Sequence, residues 1–130
     1  MKRKKIKVVV IKEDIGYSAT SSVDNRFIST EAETYEELKT GMLEALNFTF
    51  EDASIEYDLN DLRFDFDLGS FFDFYKVINA KALSERIGMN QSLLAQYIKG
   101  IKKPSPAQTR RILNGVHQIG RELTEVRFLL

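Results

Sequence analysis

A chain of 130 residues, 43% of them hydrophobic, is long enough for one or two small domains with apolar cores and has the composition of a folded protein. The absence of cysteine excludes disulfides, a thiol nucleophile and thiolate metal sites, and a single histidine cannot build a histidine cluster for zinc. Nineteen basic side chains balance nineteen acidic ones, yet residues 1–75 hold 9 Lys and Arg against 16 Asp and Glu (net −7), whereas residues 76–130 hold 10 against 3 (net +7).

Such an asymmetry points to two partners, a polyanion for the basic half and something basic for the acidic half. The simpler reading is that the two halves attract each other or are merely solvated. No apolar run reaches 18 residues, so no membrane span is expected. The apolar stretch at residues 8–11 is too short for the core of a signal peptide, so the basic residues at the start read as a solvated lead-in and the expected location is the cytoplasm.

Residues 6–11 form a β-branched run, read as a strand covered on both faces. Glu13, Asp14 and Gly16 supply turn chemistry, residues 17–20 alternate weakly, residues 21–26 read as a polar break, and residues 27–30 as a third short strand in a meander. Thr34 with Glu37 has capping-box spacing, and Tyr35, Leu38, Met42, Ala45, Leu46 and Thr49 then share one face of a helix whose other face is acidic. Residues 62–68 alternate as a fourth, half-buried strand. Gly69 and Ser70 mark the predicted boundary, after which Phe71, Phe72, Phe74, Tyr75 and Ile78 recur at helical period and read as packing rather than as a base-stacking surface.

The segment from Ala80 to Gly100 carries the functional signal. Leu83 and Ile87 end in Gly88, which permits the left-handed conformation that stops one helix and starts another within three residues. Asn90 can cap the second helix, with Leu94, Tyr97 and Ile98 inward and Gln91, Ser92, Ala95, Gln96 and Lys99 outward. This is the helix-turn-helix layout, whose second helix enters the DNA major groove. Glutamine can pair bidentately with adenine, Ser92 and Asn90 can bond base edges or phosphate, and Ala95 lets the backbone approach closely. Lys102 and Lys103 in the following loop are placed for phosphate. The segment resembles the Xre/Cro family of repressor domains, with Gly88 as the turn glycine, Leu83 and Leu94 as the core pair and residues 100–104 as the basic loop; Ser84 stands where that family usually has Ala.

Ser105, Pro106 and Gln108 open a further helix with a predicted stripe of Thr109, Ile112, Val116, Ile119 and Leu123, flanked by Arg110 and Arg111 within reach of phosphate. Residues 122–130 turn β-branched and aromatic and read as a strand that pairs with a second copy, giving a homodimer or higher even oligomer.

Over its whole length the order of elements is similar to the HicB family of antitoxins, carried by Glu31-Ala32-Glu33-Thr34-Tyr35-Glu36-Glu37-Leu38 with Glu44-Ala45-Leu46. The resemblance implies an α+β chain: a degenerate RNase H-like toxin-binding domain at 1–69 and a helix-turn-helix domain at 70–130 with a C-terminal strand. It also implies two partners, double-stranded operator DNA and a small basic RNA-cleaving toxin of the HicA kind, with no cofactor, metal or catalytic residue. Ser22-Val23-Asp24-Asn25 replaces that family's usual Pro-Gly-Cys turn, so toxin contacts do not transfer residue by residue. On charge, Glu36, Glu37, Glu44, Asp65 and Asp67 are the candidates to cover a cationic ribonuclease. Two other classes stay open: a metal-dependent nuclease using Glu13, Asp14, Asp65 and Asp67, and a regulator whose first domain binds a small ligand. His117 reads as a surface or partly packed residue rather than a catalyst.

Overall fold

The β-branched run forms strand β1 (Ile6–Lys12) in a computed structural model that describes residues 5–130; most of the predicted basic lead-in therefore lies outside the described residues. Strands β2 (Tyr17–Val23) and β3 (Arg26–Ala32) continue as an antiparallel meander. β4 (Leu62–Phe66) joins the far side of β1 in parallel, so the sheet is mixed with order β3-β2-β1-β4. A parallel neighbour must be reached by a crossover, and α1 (Tyr35–Thr49) supplies it.

The predicted polar break at residues 21–26 is instead the tip of a hairpin. Asp24 and Asn25 sit at φ 50° and 66°, the left-handed pair that a tight two-residue turn demands and that Asn and Asp tolerate best after glycine. The Thr34 hydroxyl accepts the Glu37 N–H at 3.2 Å and starts α1, as expected. Leu38, Met42 and Leu46 then recur every fourth residue, fully buried against Val8, Val10, Ala19 and Ile28. Each such burial stabilises by about 1.5–3 kcal/mol. Only this face of β1 is covered. Lys7 and Ile11 on its other face are exposed, and their neighbours there are polar, since the register sets Ser18 beside Ile11 and Thr20 beside Val9.

The predicted boundary at residues 69–70 is also corrected. Ser70 is buried in α2 (Leu68–Phe74), where its hydroxyl oxygen accepts the Lys12 N–H at 2.7 Å. The Phe74 ring lies 5.6 Å from Tyr17 and 5.0 Å from Tyr35, and Phe71 lies 6.3 Å from Phe66. The aromatic run is packing, as expected, but it packs on the first half of the chain, and its helix stops at Phe74 rather than reaching Ile78. The first compact unit ends at Phe74 and the second is Tyr75–Leu130.

The second unit holds α3 (Ala80–Arg86), α4 (Gln91–Ile98) and α5 (Pro106–Glu125) around Leu83, Met89, Leu94 and Ile112. The predicted α5 stripe is displaced: Thr109 and Leu123 are exposed, while Gly115 is buried so close to Ile87 that an added Cβ would collide with it. Residues 122–125, predicted as strand, are helical, and residues 126–130 have no regular structure. A strand needs a partner backbone, and within one chain the helix preference of Arg121, Glu122 and Leu123 prevails. No described helix is long and apolar enough to cross a membrane.

Candidate nucleic-acid interface

Two short helices with the same stop signal build the candidate site. The Asn79 side chain accepts the Ala82 N–H at 2.9 Å and opens α3. At its end Gly88 adopts φ +68°, which lets the Met89 N–H reach the Ser84 carbonyl at 2.8 Å and the Gly88 N–H reach Glu85 at 3.2 Å. This pair of bonds is the Schellman stop that a left-handed glycine makes possible. Asn90 then caps α4, its Oδ1 accepting the Leu93 N–H at 3.1 Å, and the stop is repeated: Gly100 at φ +77°, Ile101 N–H to Gln96 at 2.9 Å, Gly100 N–H to Tyr97 at 3.2 Å. Helix, turn and helix are encoded locally, with Leu83, Met89 and Leu94 buried beneath them. Met89 escaped the sequence reading although it follows the stop glycine, where an apolar residue commonly folds back on the helix. The Ser84 hydroxyl is buried and satisfied, donating to the Lys81 carbonyl at 2.6 Å, so serine in place of alanine costs little.

Asn90, Gln91, Ser92, Lys99, Lys102 and Lys103 are exposed, as the sequence predicts. Gln91, Ala95 and Lys99, each one turn apart, line a cleft of about 160 Å³ with Ala80 and Lys81 at the start of α3. Lys81 adds a cation that sequence reasoning missed, because only the return of α3 onto α4 brings it there. Asn90 spends its Oδ1 on the cap and keeps its amide nitrogen as a donor. Ala95 is partly buried in the cleft.

Gln96 departs from its predicted place. Its residue is half-buried and its Oε1 is buried with no hydrogen-bond partner, while its backbone carbonyl accepts the Ile101 N–H at 2.9 Å and the Lys102 N–H at 3.3 Å. Arg111 is also committed elsewhere. Its guanidinium donates to the Ile87 carbonyl at 2.8 and 3.1 Å and to the Gly88 carbonyl at 2.8 Å, clamping the end of α3 to α5. A second tie between these helices joins Arg86 to Glu122. Arg110 and His117 are exposed on α5.

The five acidic candidates of the first unit do not form one surface. Glu36, Glu37 and Glu44 are exposed on α1, with Glu36 paired to Lys39 at 3.0 Å. Asp65 lies on the face of the sheet opposite α1, held by Arg63 at 3.1 and 3.2 Å. The Asp67 carboxylate turns to the Ser70 N–H at 3.4 Å. Parity within the strands separates them: Leu62, Phe64 and Phe66 face α1, so Asp65 must face away. Glu13, Asp14, Asp67 and Asp73 rim an open depression of about 530 Å³ beside Lys12. Among the described residues no group of three or more His, Cys, Asp or Glu stands close enough to hold a metal ion.

No protein-family profile matches the sequence, and no curated protein or solved structure matches it either.

Proposed function

We propose that this chain is an antitoxin that binds double-stranded operator DNA through a helix-turn-helix, with α4 as the helix that enters the major groove, and that it represses its own operon. The single observation that carries this reading is the polar, exposed start of α4, Gln91 and Ser92, flanked by Lys81, Lys99, Lys102 and Lys103 beyond two glycine-stopped helices. Gln91 has the two-ended amide that reads adenine, and the lysines hold phosphate without reading sequence. Ala95 lets the groove approach, and the Asn90 amide nitrogen donates to the backbone at the same end.

The first unit is read as a HicB-like, degenerate RNase H-like module. Its acidic α1, with Glu36, Glu37 and Glu44, is the surface for a small basic RNA-cleaving toxin. The cytoplasm is the compartment that these partners imply, and two half-sites imply a homodimer.

The test is a mobility-shift titration with the DNA upstream of the coding sequence at several salt concentrations. Gln91→Ala should cost about 1–3 kcal/mol at the cognate site and relax base preference at one position. Lys102→Ala should weaken all sequences alike and lower the salt slope by about one. Absence of any shift at low salt refutes the reading, and a Lys102→Ala protein with unchanged affinity and slope refutes the loop's part in it.

A further inference from the structure

Helix α5 is far longer than the two helices it supports, about 30 Å for its 20 residues. One side of it is used within the chain: Ile112 is buried, Gly115 packs on Leu83 and Ile87, and Arg111 and Glu122 tie to α3 and its end. Turned about 100° around the axis is a second apolar stripe, Leu113, Val116, Gly120 and Leu123, at the i, i+3, i+7, i+10 spacing of a helix-pairing seam. Leu113 is 48% exposed and Leu123 62% exposed. A surface helix of a small domain needs one stripe, and this one has two.

Gly120 sharpens the point. A glycine inside a helix lowers its stability, and a Cβ added at Gly120 would meet nothing within 4 Å, so no neighbour in the chain requires its small size. Gly115, five residues earlier on the used side, has such a neighbour in Ile87. The missing reason for Gly120 lies in the stripe's own symmetry. If α5 crosses an antiparallel copy of itself about its residue 118, Leu113 meets the partner's Leu123, and Val116 meets the partner's Gly120. Both contacts occur twice: two leucines meet at each end, and at the centre a valine faces the space a glycine leaves, which lets the helices approach closely.

We infer that this stripe is the seat of a twofold α5 pairing between two copies of the chain. The exposed parts of Leu113 and Leu123 supply the smaller share of the contact; only with Val126, Phe128 and Leu129 of the irregular segment after Glu125 laid onto the partner does the area reach on the order of 600 Å² per copy, the lower end of what each partner buries in a stable pair. The pairing deepens the DNA-binding reading, which gives it a purpose in presenting two copies of α4. Its physics does not depend on that reading.

The experiment is light scattering after size exclusion on the full chain, from about 1 to 100 μM, a range that resolves ordinary dimer affinities. The wild-type chain should be a dimer. Leu123→Glu alters an exposed side chain and Gly120→Leu improves helix propensity, so both should stay folded by circular dichroism while their dimer dissociation constants rise by about 100-fold or more. A wild-type chain that is monomeric throughout, whether its stripe is bare or covered by another part of the chain, overturns the proposal. So does retention of the dimer in both variants. A dimer that ignores DNA refutes the DNA-binding reading and leaves the pairing intact, whereas tight DNA binding by a monomeric wild type does the reverse.

Discussion

The first unit closes nine apolar side chains between one face of a sheet and one helix, while the second encloses only Leu83, Met89, Leu94 and Ile112 among three helices. The first is held by contacts between residues far apart in sequence, such as β4 beside β1 and Ser70 on Lys12. The second is built mostly from local devices, side-chain caps at Asn79, Asn90 and Ser105 and two glycine stops, to which Arg111 and the Arg86–Glu122 pair add ties between α3 and α5. Local devices fix shape without needing a large core, and they leave the polar face of α4 free for a ligand. Their weakness is a small reserve, since a unit with few buried side chains has little burial energy to lose.

The comparison is tested most severely by equivalent cavities in the two units. Leu46 and Leu94 are both essentially buried, and truncation of either to alanine should cost about 2–5 kcal/mol. The outcomes should differ. Leu46→Ala should lower the midpoint of the first unit and leave it folded at 25 °C, whereas Leu94→Ala should unfold the second unit alone. Circular dichroism separates the two results: in Leu94→Ala the helical far-ultraviolet signal should fall while the near-ultraviolet signal of the Tyr17, Tyr35, Phe66 and Phe74 cluster persists. Loss of both signals together would mean that the units do not fold independently.

A smaller effect is expected where α5 crosses α3. Gly115→Ala supplies a better helix former, worth about 1 kcal/mol on propensity alone, but forces a methyl group into Ile87. Overpacking of this kind costs about 1–3 kcal/mol, so the variant should be destabilised, as measured by urea denaturation of the α-helical signal. Adding Ile87→Val, which shortens the obstructing side chain, should recover part of the loss. A net gain in stability from Gly115→Ala would show that α5 can retreat from α3 without cost.

Legibility in the sequence divides along the same line. Devices written into neighbouring residues could be read directly: the Thr34, Asn90 and Ser105 caps, the Gly88 stop, the buried spacing of Leu38, Met42 and Leu46, and the exposure of Gln91, Ser92, Lys99, Lys102 and Lys103. Features that depend on distant parts of the chain could not. The true boundary at Phe74 depends on Ser70 bonding to β1, and the separation of Asp65 from Glu36, Glu37 and Glu44 depends on which sheet face α1 covers. Gln96 shares the outward period of Ser92, yet its side-chain oxygen is buried, which helical period alone does not reveal. Asp24-Asn25 was a legible turn signal, but the polar end of β2, Ser21 and Ser22, read together with it as a polar break rather than as strand running into a tight turn. The predicted strand over residues 122–130 reversed the error: composition favoured it, but continuation of α5 to Glu125 needs no partner.

The mildest effect belongs to the first unit and is a titration. Burial first, and the negative charge of Asp73 second, hold the Tyr17 hydroxyl above its ordinary pKa of 10.0, with the Lys12 ammonium 5.3 Å from its ring centroid. Both causes favour the neutral phenol, so the folded state keeps this proton to higher pH than the unfolded state does. The stabilisation is therefore complete below about pH 10 and is lost as pH rises through the folded value. Difference absorbance of tyrosinate between the wild type and Tyr17→Phe should place this titration above the ordinary range. Asp73→Asn should move it part of the way down and no further, since burial remains the larger cause. A full return to the ordinary value in Asp73→Asn would make the carboxylate the main cause and would show that the aromatic cluster on which the first unit's core closes admits water at Tyr17.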